Sequence, residues 1–257
     1  SEGKPLWQFA ANDTLRFANT DYGPPWPIEH WSVHQTSSDP AIAIAVHHFT
    51  LWPSMLILLN GRGQVLGEFV NSGWILTSQW LQRPSGLVLL VGGISNSRSM
   101  GMMAVLDAKN VSGHSPEEAG SGFECKGCPQ GAVLRYFVFP RSELNVATAS
   151  QHNRVDAIQV FSDRFIAYTK EVDPWVAETH DFAFAAYEFS PDLELKRAYF
   201  NDRYWDLHRR LEASGRIKHS RADCPDRDGP RPVRSWDPQN GWRDLRTADH
   251  PAHAKTR

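Results

Sequence analysis

Short runs of apolar residues, each ended by Gly, Asn or Asp, recur along the chain and are densest between residues 51 and 107. In that stretch the runs cover residues 55–59, 65–70, 87–91 and 102–106. Runs of about five residues are typical of strands, because helices usually need about ten or more. Asn60-Gly61 separates the first two runs, and both residues tolerate a positive φ, so this pair predicts a β-hairpin.

The same pattern predicts further strands on both sides of this stretch. The additional runs cover residues 6–10, 15–17, 31–33, 42–46, 134–139, 157–161, 165–168, 182–189 and 193–200. One helix is predicted from Asp202 to Ser214, with Asn201 as its N-cap and Gly215 just past its end. Its apolar stripe consists of Tyr204, Leu207, His208 and Leu211.

Five segments repeat the order of apolar run, polar turn and second run. Their turns fall at Asp13, Asn60, Asp107, Ser142 and Pro191, with spacings of 47, 47, 35 and 49 residues. Recurrence at this interval is typical of β-propellers and related repeat arrays. We therefore predict a mainly β, propeller-like repeat of antiparallel strands over residues 1–200. A helix and an irregular tail, residues 201–257, are expected to pack on it.

The sequence LILLNGRGQVLGEF (56–69), followed by GLVLLVGGISN (86–96) and MMAVLD (102–107), resembles repeat segments of bacterial propeller-type proteins related to the FG-GAP group. The resemblance covers roughly residues 50–110 and implies the fold more than a function. In those proteins an Asp-rich loop before a strand can hold calcium. The corresponding residues here, 78–86, contain no carboxylate, so no calcium site is expected.

Composition adds an uneven charge distribution to this picture. The net charge is −2 over 257 residues, but residues 1–195 carry 12 Lys and Arg against 20 Asp and Glu, a balance of −8. Residues 196–257 carry 15 against 9, a balance of +6. A basic segment can contact nucleic acid. Its basic residues are interleaved with acids and prolines, which favours folding back onto the acidic body.

The three cysteines are the most specific chemical feature of the chain. Cys125 and Cys128 form a C-x-x-C motif, and His219 and Cys224 form His-x4-Cys. Three thiolates and one imidazole complete a tetrahedral zinc shell, and a shell filled by protein ligands is structural. We therefore predict a structural zinc site made by these four residues.

Other states of the cysteines remain open at this point. Cys125 and Cys128 can form a disulfide, or one of them can pair with Cys224 and leave an odd thiol. All three can also be unlinked thiols. Redox activity is disfavoured, because the motif lies among Gly and Pro instead of opening a helix.

No catalytic signature is present: the chain lacks G-x-S-x-G, H-E-x-x-H, a P-loop and a kinase motif. His47-His48 follows an apolar strand, so the two side chains should point to opposite faces. The ten Trp residues can stack on sugars or bases, or pack inside a β protein.

These features favour a non-enzymatic binding or sensory module whose partner is another protein or domain. The alternatives are a carbohydrate-active hydrolase on a β scaffold and nucleic-acid binding through residues 196–257. No apolar run reaches the ~20 residues that span a bilayer. The chain begins Ser1-Glu2-Gly3-Lys4 without a signal-peptide pattern, so its start leaves the compartment open.

Overall fold

A computed structural model describes residues 6–17, 19–35, 39–131, 133–172 and 182–245. Seventeen strands and two α-helices make up this part of the chain. The strands are β1 (Leu15–Phe17), β2 (Thr20–Tyr22), β3 (Ile28–His34), β4 (Ala41–His47), β5 (Ser54–Asn60), β6 (Val65–Asn71), β7 (Ile75–Arg83), β8 (Gly86–Ser95), β9 (Met100–Asp107), β10 (Cys125–Lys126), β11 (Arg135–Phe139), β12 (Arg154–Val160), β13 (Phe165–Lys170), β14 (Phe184–Phe189), β15 (Leu195–Phe200), β16 (Val233–Asp237) and β17 (Gly241–Leu245). The helices are α1 (Glu143–Ala147) and α2 (Asp202–Ala213).

The strands form four sheets in which all neighbours are antiparallel. Two four-stranded sheets follow chain order, β3-β4-β5-β6 and β12-β13-β14-β15. A six-stranded sheet has the order β17-β16-β11-β9-β8-β7, and a small sheet has the order β10-β1-β2. The predicted mainly β, antiparallel fold is therefore confirmed. A closed ring of blades is not seen among the described residues, and the propeller-like arrangement stays a prediction.

The six-stranded sheet is buried on both faces, which explains the continuous apolar runs of its inner strands. In β8, Val88 and Leu90 pack with the β12–β15 sheet, whereas Leu89 and Val91 pack with the β3–β6 sheet. Alternating side chains of one strand point to opposite faces, so both cores draw on the same run. A third core lies between the β3–β6 sheet and the small sheet.

The helix prediction is confirmed almost to the residue. Asn201 accepts a hydrogen bond from the Tyr204 backbone N–H at 3.1 Å, and Gly215 takes a left-handed φ of 74°. The predicted stripe is buried, together with Trp205. No helix in the described part of the chain is long and apolar enough to cross a membrane.

The predicted turns do not share one structural context. Asn60 and Pro191 lie in hairpins, β5–β6 and β14–β15, as expected. Ser142 instead caps α1, where its Oγ accepts a hydrogen bond from the Asn145 N–H. Asp13 precedes β1, which pairs with β2, so it does not lie between two paired strands.

Two further predictions need correction. Residues 78–86, which correspond to the Asp-rich loop of the FG-GAP-related proteins, lie mostly in strand β7. The polar residues Thr77, Ser78 and Gln79 interrupt the apolar run by which the other strands were predicted. The tail expected to be irregular contributes β16 and β17 to the six-stranded sheet. Trp236 and Trp242 are directly opposite in the register of these two strands, and both pack against the core shared with the β3–β6 sheet.

Candidate ligand cleft and candidate metal cluster

A cleft of about 630 Å³ opens where β3, β7 and β12 approach one another. Its volume lies within the range of small-molecule sites. Glu29 comes from β3, Leu76 from β7, and Arg154 and Asp156 from β12. The rest of the lining is Trp52, Trp74, Ala149, Ser150, Gln151 and His152. Three sheets thus supply one cavity.

Two tryptophans form an aromatic wall of this cleft. Trp52 and Trp74 stack with ring centroids 5.3 Å apart and planes inclined by 23°. Trp52 remains 36% exposed, so part of its indole is uncovered. The neighbouring loop side chains Phe49 and Leu51 are exposed as well. Exposed apolar side chains therefore flank Trp52 along the chain.

The backbone is strained at both sides of the cleft. Leu51, Trp52 and Ala149 have φ values of 56°, 47° and 55°, in the left-handed region that favours glycine. Such residues persist only where surrounding contacts hold them. Asn96 supplies one of these contacts, because its Nδ2 donates to the Leu51 and Ser72 carbonyl oxygens.

His47 and Glu29 form a polar pair beside the tryptophans. The Nε2 atom of His47 lies 3.4 Å from Oε2 of Glu29, and the imidazole centroid lies 5.4 Å from that of Trp74. His47 is buried, while His48 points the other way and contacts Tyr22 and Trp26 edge-on. The opposite orientation predicted for these two histidines is confirmed.

The predicted zinc ligands do not come together as one shell. Cys125 and Cys128 form a disulfide, with Cα atoms 5.7 Å apart, and pack in the core under the small sheet. Bonded sulfurs offer no thiolate to a metal. Cys224 is buried in a different cluster, beside α2. The correction follows from chain position, because β10 pairs with β1 and holds the C-x-x-C motif there.

His219 and Cys224 nevertheless lie together, and His208 of α2 joins them. One donor atom from each of the three residues lies within 4.8 Å of the others, so this cluster can hold a metal ion. The sequence placed His208 on the buried stripe of α2 but not in the metal set. Its position on an otherwise apolar, buried stripe was the available indication.

Burial and charge set the protonation states in this cluster. Burial, and secondarily the neighbouring His219, lowers the pKa of His208. Burial also raises the pKa of the Cys224 thiol. Asp226 lies beside them, fully buried, and accepts hydrogen bonds from the Tyr204 hydroxyl and the Glu143 N–H through Oδ2.

No known family model, curated protein or solved structure matches the chain.

Proposed function

We propose that the protein is a non-enzymatic binding module whose cleft takes a carbohydrate. The stacked pair Trp52 and Trp74 carries this proposal, because the apolar C–H face of a pyranose ring packs on an indole plane. Trp52 keeps enough exposed surface for one such contact.

The polar lining suits the hydroxyl groups of a sugar. The carboxylates of Glu29 and Asp156 accept hydrogen bonds, while the side chains of Gln151 and Arg154 can donate them. Ligand sites commonly combine apolar walls with a few polar groups that fix orientation.

Two features of the architecture support the wider proposal of a propeller-like module. The β3–β6 and β12–β15 sheets are both four-stranded antiparallel meanders, the strand order of propeller blades. They pack on opposite faces of the six-stranded sheet. The expected partner protein or domain stays a prediction.

Calorimetric titration of the protein with a panel of oligosaccharides tests the proposal. We expect binding that Trp52→Ala and Trp74→Ala each weaken about tenfold, since an aromatic contact of about 1.4 kcal/mol corresponds to that factor. Trp31→Ala is the matched control, because Trp31 is 65% exposed on β3 and lies outside the cleft lining. Absence of binding across the panel, or an equal loss in Trp31→Ala, would refute it.

A hydrolase is the second candidate, because two carboxylates, Glu29 and Asp156, line the same cleft. Glycoside hydrolysis uses such a pair, one carboxyl as acid and the other as base or nucleophile. Release of reducing ends from the bound oligosaccharide, abolished by Glu29→Gln and by Asp156→Asn, would favour this candidate. Binding without turnover would favour the binding module.

A further inference from the structure

Three metal-ligating side chains meet between helix α2 and the segment that follows it. His208 comes from the buried face of α2, and His219 and Cys224 come from the turn-rich chain beyond Gly215. His208 is 0% and Cys224 2% exposed. The His208 and His219 rings lie 5.4 Å apart, centroid to centroid.

Three of the four ring nitrogens of these histidines are buried without a hydrogen-bond partner in the described part of the chain. These atoms are Nδ1 and Nε2 of His208 and Nε2 of His219. Buried polar atoms without a partner are costly and uncommon in folded proteins. A metal ion accepts the lone pair of one nitrogen of each imidazole and so removes the deficit at that atom.

The donor set selects among metals. One thiolate with two imidazoles suits a borderline-soft ion, and Zn²⁺ takes such ligands in tetrahedral geometry. Ligand atoms of a tetrahedral zinc shell lie roughly 3.5 Å apart. The present atoms, within 4.8 Å, reach that spacing by small side-chain movements.

Acidic groups surround the cluster and favour a dication. Glu143, Glu212 and Asp226 all act electrostatically on His208. Oε2 of Glu212 lies 3.9 Å from Nδ1 of His208, one helical turn along α2. A carboxylate that hydrogen-bonds one ring nitrogen orients the other toward a metal. A small movement of Glu212 would bring it to Nδ1 and leave Nε2 of His208 to ligate the metal.

We propose that His208, His219 and Cys224 bind one Zn²⁺ ion, with Glu212 orienting His208 and water in the fourth position. Binding converts the Cys224 thiol to a zinc thiolate and releases its proton to solvent. The ion ties residues 217–224 to α2. This site is separate from the Trp52–Trp74 cleft and does not depend on the proposed function.

Titration of the chelator-treated full chain with Co²⁺ tests the site, since Co²⁺ occupies zinc sites and shows a thiolate charge-transfer band. We expect one equivalent to bind with this band and Zn²⁺ to displace it. Cys224→Ser should abolish the band, whereas Cys125→Ser/Cys128→Ser should retain it. Glu212→Gln should weaken binding about 10–100-fold.

His219→Gln serves as a second test variant that should still fold, because His219 is only half-buried. With an unchanged far-ultraviolet circular dichroism spectrum, it should bind Co²⁺ at least tenfold more weakly. The proposal is overturned if the wild-type chain shows no thiolate band, or if the band persists in Cys224→Ser. It is also overturned if the band disappears in Cys125→Ser/Cys128→Ser.

Discussion

The hydroxyl of Tyr204 donates a hydrogen bond of 2.5 Å to Oδ2 of Asp226, and this bond joins α2 to the chain that carries Cys224. Both residues are fully buried. The same carboxylate oxygen accepts from the Glu143 N–H at the start of α1, so a single side chain links three elements. Asp226 also lies 3.8 Å from Nε of Arg231.

Replacing Tyr204 with Phe should destabilise the protein by about 1.5–3 kcal/mol, because a hydrogen bond to a charged group is lost inside the core. Urea denaturation measures this change. Tyr168→Phe is the control, because its hydroxyl bonds Gln159 at the surface, and a change within about 0.5 kcal/mol is expected. Equal effects of the two substitutions would contradict the role of the Tyr204–Asp226 bond.

Asn96→Ala should loosen the loop that carries Trp52. The substitution removes both hydrogen bonds that the Asn96 amide donates to Leu51 and Ser72, at an expected cost of about 1–2 kcal/mol. Denaturation measures the stability change. The part of the Trp fluorescence that Trp52→Ala removes reports the environment of Trp52, which is one of ten tryptophans. Asn110→Ala, in an exposed loop, should leave both unchanged. An unaltered fluorescence spectrum in Asn96→Ala would argue against this anchoring role.

Glu171 should make stability depend on pH. Burial raises the pKa of this carboxyl above its ordinary value of 4.5, although hydrogen bonds from Thr169, Ser142 and Asn153 oppose the shift. The folded state therefore binds a proton more tightly than the unfolded state does. The resulting stabilisation is complete below pH 4.5 and is lost as pH rises through the raised pKa.

Glu171→Gln carries no titrating proton at this position. The stability of the wild type relative to this variant should therefore fall as pH rises from about 4.5 through the raised pKa. Denaturation at a series of pH values measures the difference. Parallel stability curves for the two proteins would contradict the prediction.

The disulfide should contribute modestly to stability. Cys125 and Cys128 enclose a loop of four residues, and so short a loop corresponds to about 2 kcal/mol of lost unfolded-state entropy. We expect Cys125→Ser/Cys128→Ser to lower the free energy of unfolding by up to about that amount. Thiol titration of the denatured wild type should find one thiol before reduction and three after it. Three thiols before reduction would show that this bond is absent.

Secondary structure could be predicted wherever the hydrophobic pattern is local. The Asn60-Gly61 turn, the apolar runs of β8 and β9, and the cap and stripe of α2 needed only neighbouring residues to be predicted. Strands with diluted patterns were missed: β7 carries Thr77, Ser78 and Gln79, and β16–β17 lie among turn residues. The strand form of β7 depends on pairing with its sequence neighbour β8. That of β16 depends on pairing with β11, which is distant in sequence.

Which functional side chains come into contact depends on how the sheets and helices pack in the tertiary structure. The sequence singled out the cysteines, but the pairing of β10 with β1 places Cys125 and Cys128 in the core under the small sheet. Cys224 belongs to a different core, the one that α2 packs against. His208 joins Cys224 through the packing of the chain beyond Gly215 against α2. Glu29, Trp52, Trp74 and Asp156 share a cleft because three sheets pack together. Contacts between distant residues depend on how whole sheets pack, and no local pattern encodes that arrangement.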